Sequence, residues 1–290
     1  LVVRLLCSLW EPRAPARAGM AQIAAVRSGV FASTGNVLSV AHVAGMQASF
    51  PLLQKNYKFG AVRFWGRLQG KAGDYLIAVG IEDSWVAGKK FFYCQDGVSW
   101  AQLPSPTAED MANCMKLPAT LMLSGDVSAK TPLPAEPVAE GEEEPAEPPV
   151  VDELMRLAVM VGTIDSEAAM APEGALCMTP TGAIAASPAF AGSTKETACS
   201  ASGYVFVNQK KPVDALATTA TKAADCLVSC ETLVPKGALC TSVDEANGCV
   251  LVRNLVWPGF VAYTWLGAPF WGYAYFGSGQ KNADIAFMLH

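Results

Sequence analysis

The chain has 290 residues, of which 51% are hydrophobic and 16% charged, so it can bury a sizeable core. Its formal net charge is -5, but six of its 26 acidic residues lie in the Glu/Pro-rich segment 132–149, which holds no basic residue. The remainder carries 20 acidic and 21 basic residues and is close to neutral. A near-neutral body lacks the positive field that nucleic-acid binding requires, which argues against a nucleic-acid partner.

Residues 1–19 differ in character from the rest of the chain. They are rich in arginine, and Glu11 is the one acidic residue among them. We expect this extension to lie outside the fold, with Met20 as the start of a single domain that covers residues 20–290. A transit peptide is the alternative interpretation of the extension.

The first predicted element is a helical region within residues 20–58. Apolar residues recur at helical spacing from Val37 to Tyr57. Gly45 and Pro51 interrupt this pattern, so the sequence predicts short helices that break at these two residues.

Alternating β-branched and aromatic residues then indicate two hairpins, the second of which turns at Asp96-Gly97. The four strands are predicted at 61–68, 74–81, 89–94 and 98–103. A short helix is expected next, with Thr107 as its N-cap and Asp110 at its third position.

The Glu/Pro segment 132–149 cannot bury enough apolar surface to order itself, so we expect a flexible acidic loop. A strand-like segment follows at 154–164. Further on, the motifs PEGALC and PKGALC each predict a turn that leads into a strand. They begin at residues 172 and 235, and the segments 194–201 and 215–229 between them have helical character.

The C-terminal region contains no charged side chain from Asn254 to Gln280, which is long enough to raise the question of a membrane span. Two prolines and several glycines break it, and a helix broken so often would leave backbone groups unpaired in lipid. Two or three aromatic-rich antiparallel strands fit better. The whole pattern predicts an α+β fold with N-terminal helices, an antiparallel β-sheet and a disordered acidic insertion.

The sequence FGSGQKN at 276–282 resembles a phosphate-binding loop. Such a loop requires G-x-x-x-x-G-K-[ST] followed by a helix, whereas Gly277 and Gly279 stand two residues apart and Gln280 precedes Lys281. A tight turn after an aromatic strand explains the glycines better. A cytosolic phosphate- or nucleotide-binding enzyme using the turn from Gly277 to Lys281 stays as the alternative function.

Other catalytic patterns are lacking in the sequence. His42 and His290 are its two histidines, and no G-x-S-x-G motif accompanies them, so a histidine-based triad is not indicated. Nine scattered cysteines without a C-x-x-C pair favour reduced thiols in a cytosolic compartment. The cysteines at 226, 230, 240 and 249 lack the second close pair of a zinc site. We therefore expect no catalytic, cofactor-binding or metal-binding residues.

Four segments carry a resemblance to a known family. They read VRFWGRLQGKAGDYLIAVGI at 62–81, SWAQLPSPTAEDM at 99–111, VRNLVWPGFVAYTW at 252–265 and WGYAYFGSGQKNADIAFML at 271–289. In order and spacing they resemble the radial spoke head protein 9 family of cilia and flagella. A similar W-P-G block and G-x-G-x-K turn occur in the related radial spoke head proteins 4 and 6.

The resemblance implies a structural, non-catalytic subunit of the axonemal radial spoke head, located in the cytoskeleton of the cilium or flagellum. The implied partners are radial spoke head proteins 4 and 6, also 1 and 10, and the spoke stalk, with the central pair opposite. No cofactor and no membrane are implied. A generic adaptor unrelated to cilia is a third possibility. The residues that resemble fold and assembly determinants are Trp65, Trp257, Pro258, Gly259, Trp265, Trp271, Tyr273, Tyr275, Gly277, Gly279 and Lys281.

The density of aromatic residues between Trp257 and Tyr275 leads to one further expectation. Neighbouring side chains of a strand point to opposite faces, so one core cannot easily take them all. The surplus face is expected to form an exposed apolar contact surface. The alternative is that a helix of the same chain covers both faces.

Overall fold

The computed structural model describes residues 30–134, 149–207, 226–232 and 235–288. Its strands are β1 (Ala61–Leu68), β2 (Tyr75–Ile81), β3 (Lys90–Cys94), β4 (Ala101–Gln102), β5 (Lys130–Pro132), β6 (Val150–Asp152), β7 (Met170–Pro172), β8 (Leu176–Met178), β9 (Ile184–Ala186), β10 (Tyr204–Val207), β11 (Leu227–Ser229), β12 (Leu239–Asp244), β13 (Cys249–Asn254), β14 (Phe260–Trp265) and β15 (Trp271–Gly277). Its α-helices are α1 (Val40–Tyr57), α2 (Ala108–Lys116), α3 (Glu153–Ala168), α4 (Lys195–Ala198) and α5 (Ile285–Met288).

An eight-stranded sheet organises the molecule, in the order β12-β13-β14-β15-β1-β2-β3-β4. It consists of two antiparallel meanders, and β1 and β15 join them as a parallel pair in which Gly66 lies opposite Tyr275. A Cβ on Gly66 would lie 2.3 Å from the Tyr275 carbonyl oxygen, so only glycine permits this close approach. The parallel pair therefore brings the N-terminal and C-terminal halves of the chain together.

Both predicted N-terminal hairpins and the C-terminal antiparallel strands are confirmed. The helix predicted after Thr107 is confirmed with its complete capping box, in which the Thr107 hydroxyl accepts from the Asp110 amide and the Asp110 carboxylate accepts from the Thr107 amide. These elements were predictable because alternation, a two-residue turn and a cap are all local signals. The predicted α+β fold class is confirmed.

The predicted break of the first helix is wrong, because α1 runs through both Gly45 and Pro51. The absence of a side chain on Gly45 lets the helix approach the following turn, where a Cβ would lie 2.9 Å from the Gly97 carbonyl oxygen. The Ser49 hydroxyl donates to that same oxygen, at 3.2 Å. Packing of the helix on the sheet thus outweighs the helix-breaking tendency of these two residues.

The predicted strand at 154–164 is also wrong, because this segment lies within helix α3. Its buried positions recur every three or four residues, and they are Glu153, Arg156, Leu157, Ala158, Val161, Ile164, Asp165 and Ala168. That spacing is helical, although the segment is rich in β-branched residues. The segment predicted as helical at 215–229 lies mostly outside the described residues, and its described end is strand β11.

Each face of the central sheet has its own hydrophobic core. On one face, α1 packs over residues such as Phe64 and Phe276, and we call this the α1-side core. On the other face, α3 and the small sheet β11-β10-β7 pack over residues such as Trp65 and Tyr275, which form the α3-side core. The expected surplus face is therefore absent from the described residues, because distant segments of the same chain cover both sides.

The start of the Glu/Pro segment belongs to the fold. Pro132 pairs with Val150 in the β5–β6 hairpin, and Leu133 is only 6% exposed. The flexible loop was predicted to span 132–149, and this prediction is wrong at its start, because Pro132 and Leu133 belong to the fold. Residues 135–148 lie outside the described residues, and their mobility stays a prediction.

Candidate functional site

Helix α3 carries two carboxylates that bind four of the predicted residues, Trp65, Tyr273, Trp257 and Lys281. Asp165, in its last turns, accepts a hydrogen bond from the indole Nε1 of Trp65 at 3.0 Å and from the hydroxyl of Tyr273 at 3.1 Å. The Lys89 ammonium lies 2.6 Å from the other carboxylate oxygen. One carboxylate thus connects the helix with β1, with β15 and with the residue that precedes β3.

The Asp165 carboxylate is buried and fully engaged. Its side chain is 8% exposed and that of Lys89 is 7% exposed, so solvent screens their attraction little. Burial raises the pKa of Tyr273 far above its usual value, and the nearby Asp165 raises it further. The Tyr273 phenol therefore stays protonated and available as a donor at neutral pH.

A second carboxylate two residues further along, that of Glu167, binds two more of the predicted residues. Its Oε2 atom accepts from the indole Nε1 of Trp257 at 3.0 Å and lies 2.6 Å from the Lys281 ammonium. The same ammonium lies 5.6 Å from the centroid of the Trp257 ring, within the range of a cation–π contact. We call Asp165, Glu167 and these five partners the α3 anchor.

The glycine turn that resembles a phosphate loop is part of this anchor. The amide of Gly279 donates to the Tyr275 hydroxyl at 2.9 Å, and the amide of Asn282 donates to the Val256 carbonyl at 2.8 Å. The two amides are therefore used within the protein, and the Lys281 ammonium is paired with Glu167 at the surface, with side chains 47% and 40% exposed. The turn has φ +79° at Gly279, a conformation that explains why glycine stands there.

The W-P-G block forms the turn that precedes β14. Gly259 has φ +100°, and a Cβ there would lie 2.0 Å from the Phe276 carbonyl oxygen. The Phe276 amide donates to the Gly259 carbonyl at 2.8 Å. The side chain of Pro258 is exposed, while its carbonyl lies 2.8 Å from where a Cβ on Gly277 would stand. The two motifs therefore fit together only because both contain glycine.

The two remaining predicted tryptophans lie apart from the anchor. Trp271 contacts the ring of Trp85 at the start of β15, with ring centroids 5.0 Å apart. Trp265 lies against the α1-side core, where it contacts Tyr263 edge-on at 5.3 Å and stays half-exposed. Trp265 is consequently the one predicted aromatic residue that retains substantial contact with solvent.

The two carboxylates at the centre of the anchor were missed at the sequence level. Asp165 and Glu167 were overlooked because the segment just before them, 154–164, was interpreted as a strand, which hid the helical spacing that turns Asp165 inward. At the opposite end of α3, Glu153 is fully buried and pairs with Arg156 at 3.1 Å. Arg156 in turn donates to the Leu121 carbonyl at 3.1 Å, which fixes the long loop before β5.

Within the described residues, no group of three or more His, Cys, Asp or Glu side chains is arranged to hold a metal ion. No described helix is long and apolar enough to cross a bilayer. His42 lies partly buried at the start of α1, where its backbone amide donates to the hydroxyl of the N-cap residue Ser39 at 3.1 Å.

Fold and site together define an α+β protein whose prominent motif residues build an internal anchor between one helix and a large sheet. No protein-family profile matches the chain. It is 33% identical to the radial spoke head protein 9 homolog of Bos taurus over 88% of the chain and 95% of that protein. It is also 33% identical to the Homo sapiens homolog, with the same coverage of both chains. It is 32% identical to the Danio rerio homolog over 89% of the chain and 95% of that protein. The chain belongs to the radial spoke head protein 9 family.

Proposed function

We propose that the chain is a structural, non-catalytic subunit of the radial spoke head in the axoneme of cilia and flagella. In this role it is needed for assembly of the spoke head and helps to transmit signals from the central pair that regulate motility. Its place in the cell is the axonemal cytoskeleton.

The observation that supports this proposal is the internal use of the motif residues, together with membership of the family. Trp257, Lys281 and the glycine turn bind one another and helix α3, so they stabilise the fold. A rigid body with a large buried aromatic core suits a permanent assembly, whose interfaces are larger and more apolar than transient ones.

The partners proposed for this subunit are radial spoke head proteins 4 and 6, also 1 and 10, and the proteins of the spoke stalk. Co-expression with proteins 4 and 6 tests this part directly. We expect a complex that survives size-exclusion chromatography, and separate elution of every component would contradict the proposed partners.

Calorimetry with ATP and GTP tests the non-catalytic part of the proposal. We expect no binding heat, because the glycine spacing departs from that of a phosphate loop and the Gly279 amide already donates to Tyr275. Micromolar binding that disappears in the Lys281→Ala variant would overturn the structural interpretation of that turn.

A further inference from the structure

The two edges of the central sheet differ in length and composition. At one edge, β4 has two residues, and Pro104 and Pro106 follow it closely. At the other edge, β12 has six residues, from Leu239 to Asp244, and contains neither proline nor lysine. Natural sheets usually prevent association by keeping an edge strand short or by placing proline or lysine in it. The β4 edge is protected in this way, and the β12 edge is not.

Among the described residues, β12 is bound by another strand on one side alone. It pairs with β13 in an unbroken register, from Leu239 opposite Asn254 to Asp244 opposite Cys249. No backbone hydrogen bond from the described chain reaches its other side, and none of its six residues is buried. A straight strand with unpaired amides and carbonyls on an accessible side is a template for one more strand.

The side chains of β12 alternate in character between the two faces of the sheet. Leu239 packs against the α3-side core, and alternation places Thr241 and Val243 on that same face. Cys240 is exposed, and it shares the opposite face with Ser242 and Asp244. A strand added at this edge therefore has to match an apolar, β-branched face and a polar face.

A second copy of β12 meets this requirement in the antiparallel orientation, with Thr241 on the two-fold axis. In that register Leu239 lies opposite Val243 of the second copy, and Cys240 lies opposite its Ser242. Directly opposite side chains share a face, so apolar residues meet apolar ones and polar residues meet polar ones. The two Thr241 side chains face each other at the centre, a pairing that is favourable between strands.

The charges around β12 favour the same arrangement. Lys236 precedes the strand and Asp244 ends it, so two antiparallel copies bring unlike charges together at both ends. A register centred on Ser242 would instead place Leu239 opposite the exposed Glu245. Complementarity thus selects the register centred on Thr241.

We propose that β12 pairs with β12 of a second copy of this chain, which extends the two central sheets into one across the contact. A six-residue strand buries less surface than the about 1,200 Å² of a stable protein interface, so the dimer forms reversibly at micromolar concentration. The inference goes beyond the proposed function and does not depend on it, because purified chain alone tests it.

Sedimentation equilibrium of the full chain measures the dimer. Thr241→Lys and Thr241→Glu each place like charges opposite one another on the axis, and each should weaken association at least tenfold. An equimolar mixture of the two variants should recover the dimer, because unlike charges then face each other. The matched controls Thr120→Lys and Thr120→Glu change an exposed threonine outside the sheet and should leave association unchanged.

A cross-link tests the register with Thr241 intact, which matters because its hydroxyl donates to the Cys199 carbonyl at 3.3 Å and its replacement can affect folding. Ser242→Cys places a thiol opposite the natural Cys240 of the second copy. Directly opposite residues have Cα atoms about 4.5–5.5 Å apart, within the range of a disulfide. Mild oxidation with diamide should give a disulfide-linked dimer, and the double variant Cys240→Ser/Ser242→Cys should not.

Three results would overturn the proposal. The first is a monomeric chain in which Ser242→Cys gives no cross-link, and the second is a dimer that neither Thr241 variant weakens. The third is a monomer that dimerises only when 208–225 is deleted, which would show that the chain's own segment fills the β12 edge. A monomer in which Thr241→Lys weakens binding of spoke head proteins 4 and 6 would assign the edge to a partner's strand and contradict a second copy.

Discussion

Trp65 and Tyr273 donate to the same carboxylate oxygen, Oδ1 of Asp165, at 3.0 and 3.1 Å. The two donors lie on β1 and β15, the parallel pair that joins the halves of the sheet, and stand 100 and 108 residues from Asp165 in sequence. One buried side chain therefore fixes helix α3 to the seam between the halves. Its removal leaves two donors and the Lys89 ammonium without an acceptor.

Asp165→Ala should destabilise the fold strongly. Breaking a buried ion pair from one side typically costs about 3–5 kcal/mol, because the remaining charge stays buried without a partner. Urea denaturation measures the change. The control is Asp74→Ala, whose carboxylate is 42% exposed and pairs loosely with Arg67 at 3.7 Å. It should cost less than about 1 kcal/mol, and an equal loss in both variants would show that the anchor does not stabilise the sheet.

Gly259→Ala should be far more costly than Gly174→Ala. Both glycines have positive φ, +100° and +77°. A Cβ on Gly259 would meet the Phe276 carbonyl oxygen at 2.0 Å, whereas a Cβ on Gly174 has nothing within 4 Å. The positive φ alone should lower the unfolding free energy by about 1 kcal/mol in both variants. In Gly259→Ala the clash should lower it by at least about 2 kcal/mol more. Equal unfolding free energies by urea denaturation would contradict the close fit of the two motif turns.

Much of the fold could be predicted from the sequence where the deciding signal is local. β1 and β2 follow from runs of β-branched and aromatic residues on either side of a glycine-containing turn, and the cap at Thr107 follows from a four-residue pattern. Helix α3 could not be recognised from composition, because Val, Ile and Thr favour strands, and only the spacing of its buried positions reveals the helix. The sequence also could not show that both faces of the C-terminal aromatic strands are buried, because the helices that cover them, α1 and α3, are far away in sequence.

Some residues of the candidate site could likewise be predicted from the sequence and others could not. The glycines and tryptophans of the motifs stand out because they are unusual residues at fixed spacing. Their acceptors Asp165 and Glu167 are ordinary surface residues in composition, and only the tertiary structure turns them towards the sheet. Arg63 likewise gives no signal in the sequence, because its burial depends on Trp85, in the connection between β2 and β3, and on Trp271, at the start of β15.

Stability should fall at alkaline pH, and Cys249 contributes to the loss. Burial, and then the nearby Asp244, raise the pKa of its thiol from 9.0 to about 11. The unfolded chain loses the thiol proton at lower pH than the folded chain does. The contribution of Cys249 to the unfolding free energy is therefore complete below pH 9 and is lost as the pH rises to 11. Cys249→Ala should therefore flatten the decline of unfolding free energy between pH 9 and 11. The exposed Cys240→Ala serves as control, and identical pH profiles of the two variants would contradict the assignment.

Two deletions separate the acidic segment from the fold. Removal of 135–148 should lower the melting temperature by less than about 5 °C, because Glu and Pro bury little apolar surface. Removal of 132–149 should lower it more, since this also takes the buried Leu133 and the strand residue Pro132. Differential scanning calorimetry compares them. A large drop in the shorter deletion would show that the acidic segment packs against the body.

Trp265→Ala should keep the fold and weaken assembly. Trp265 is half-exposed at the end of β14, and tryptophans in such positions often anchor protein contacts. We expect a melting temperature within about 3 °C of the unmodified chain and reduced co-purification with spoke head proteins 4 and 6. The buried Tyr275→Phe, which removes only a hydroxyl, controls for small changes in the core. Undiminished partner binding by Trp265→Ala would place the interface elsewhere.

The central claim is that this chain is a subunit of the radial spoke head. Its most direct test is the location of an epitope-tagged copy in ciliated cells that lack their own radial spoke head protein 9. The account predicts that the tagged chain resists detergent extraction of the axoneme and returns spoke head density to the spokes seen by electron cryo-tomography. A tagged chain that is released entirely by detergent, with spoke heads still incomplete, would contradict it.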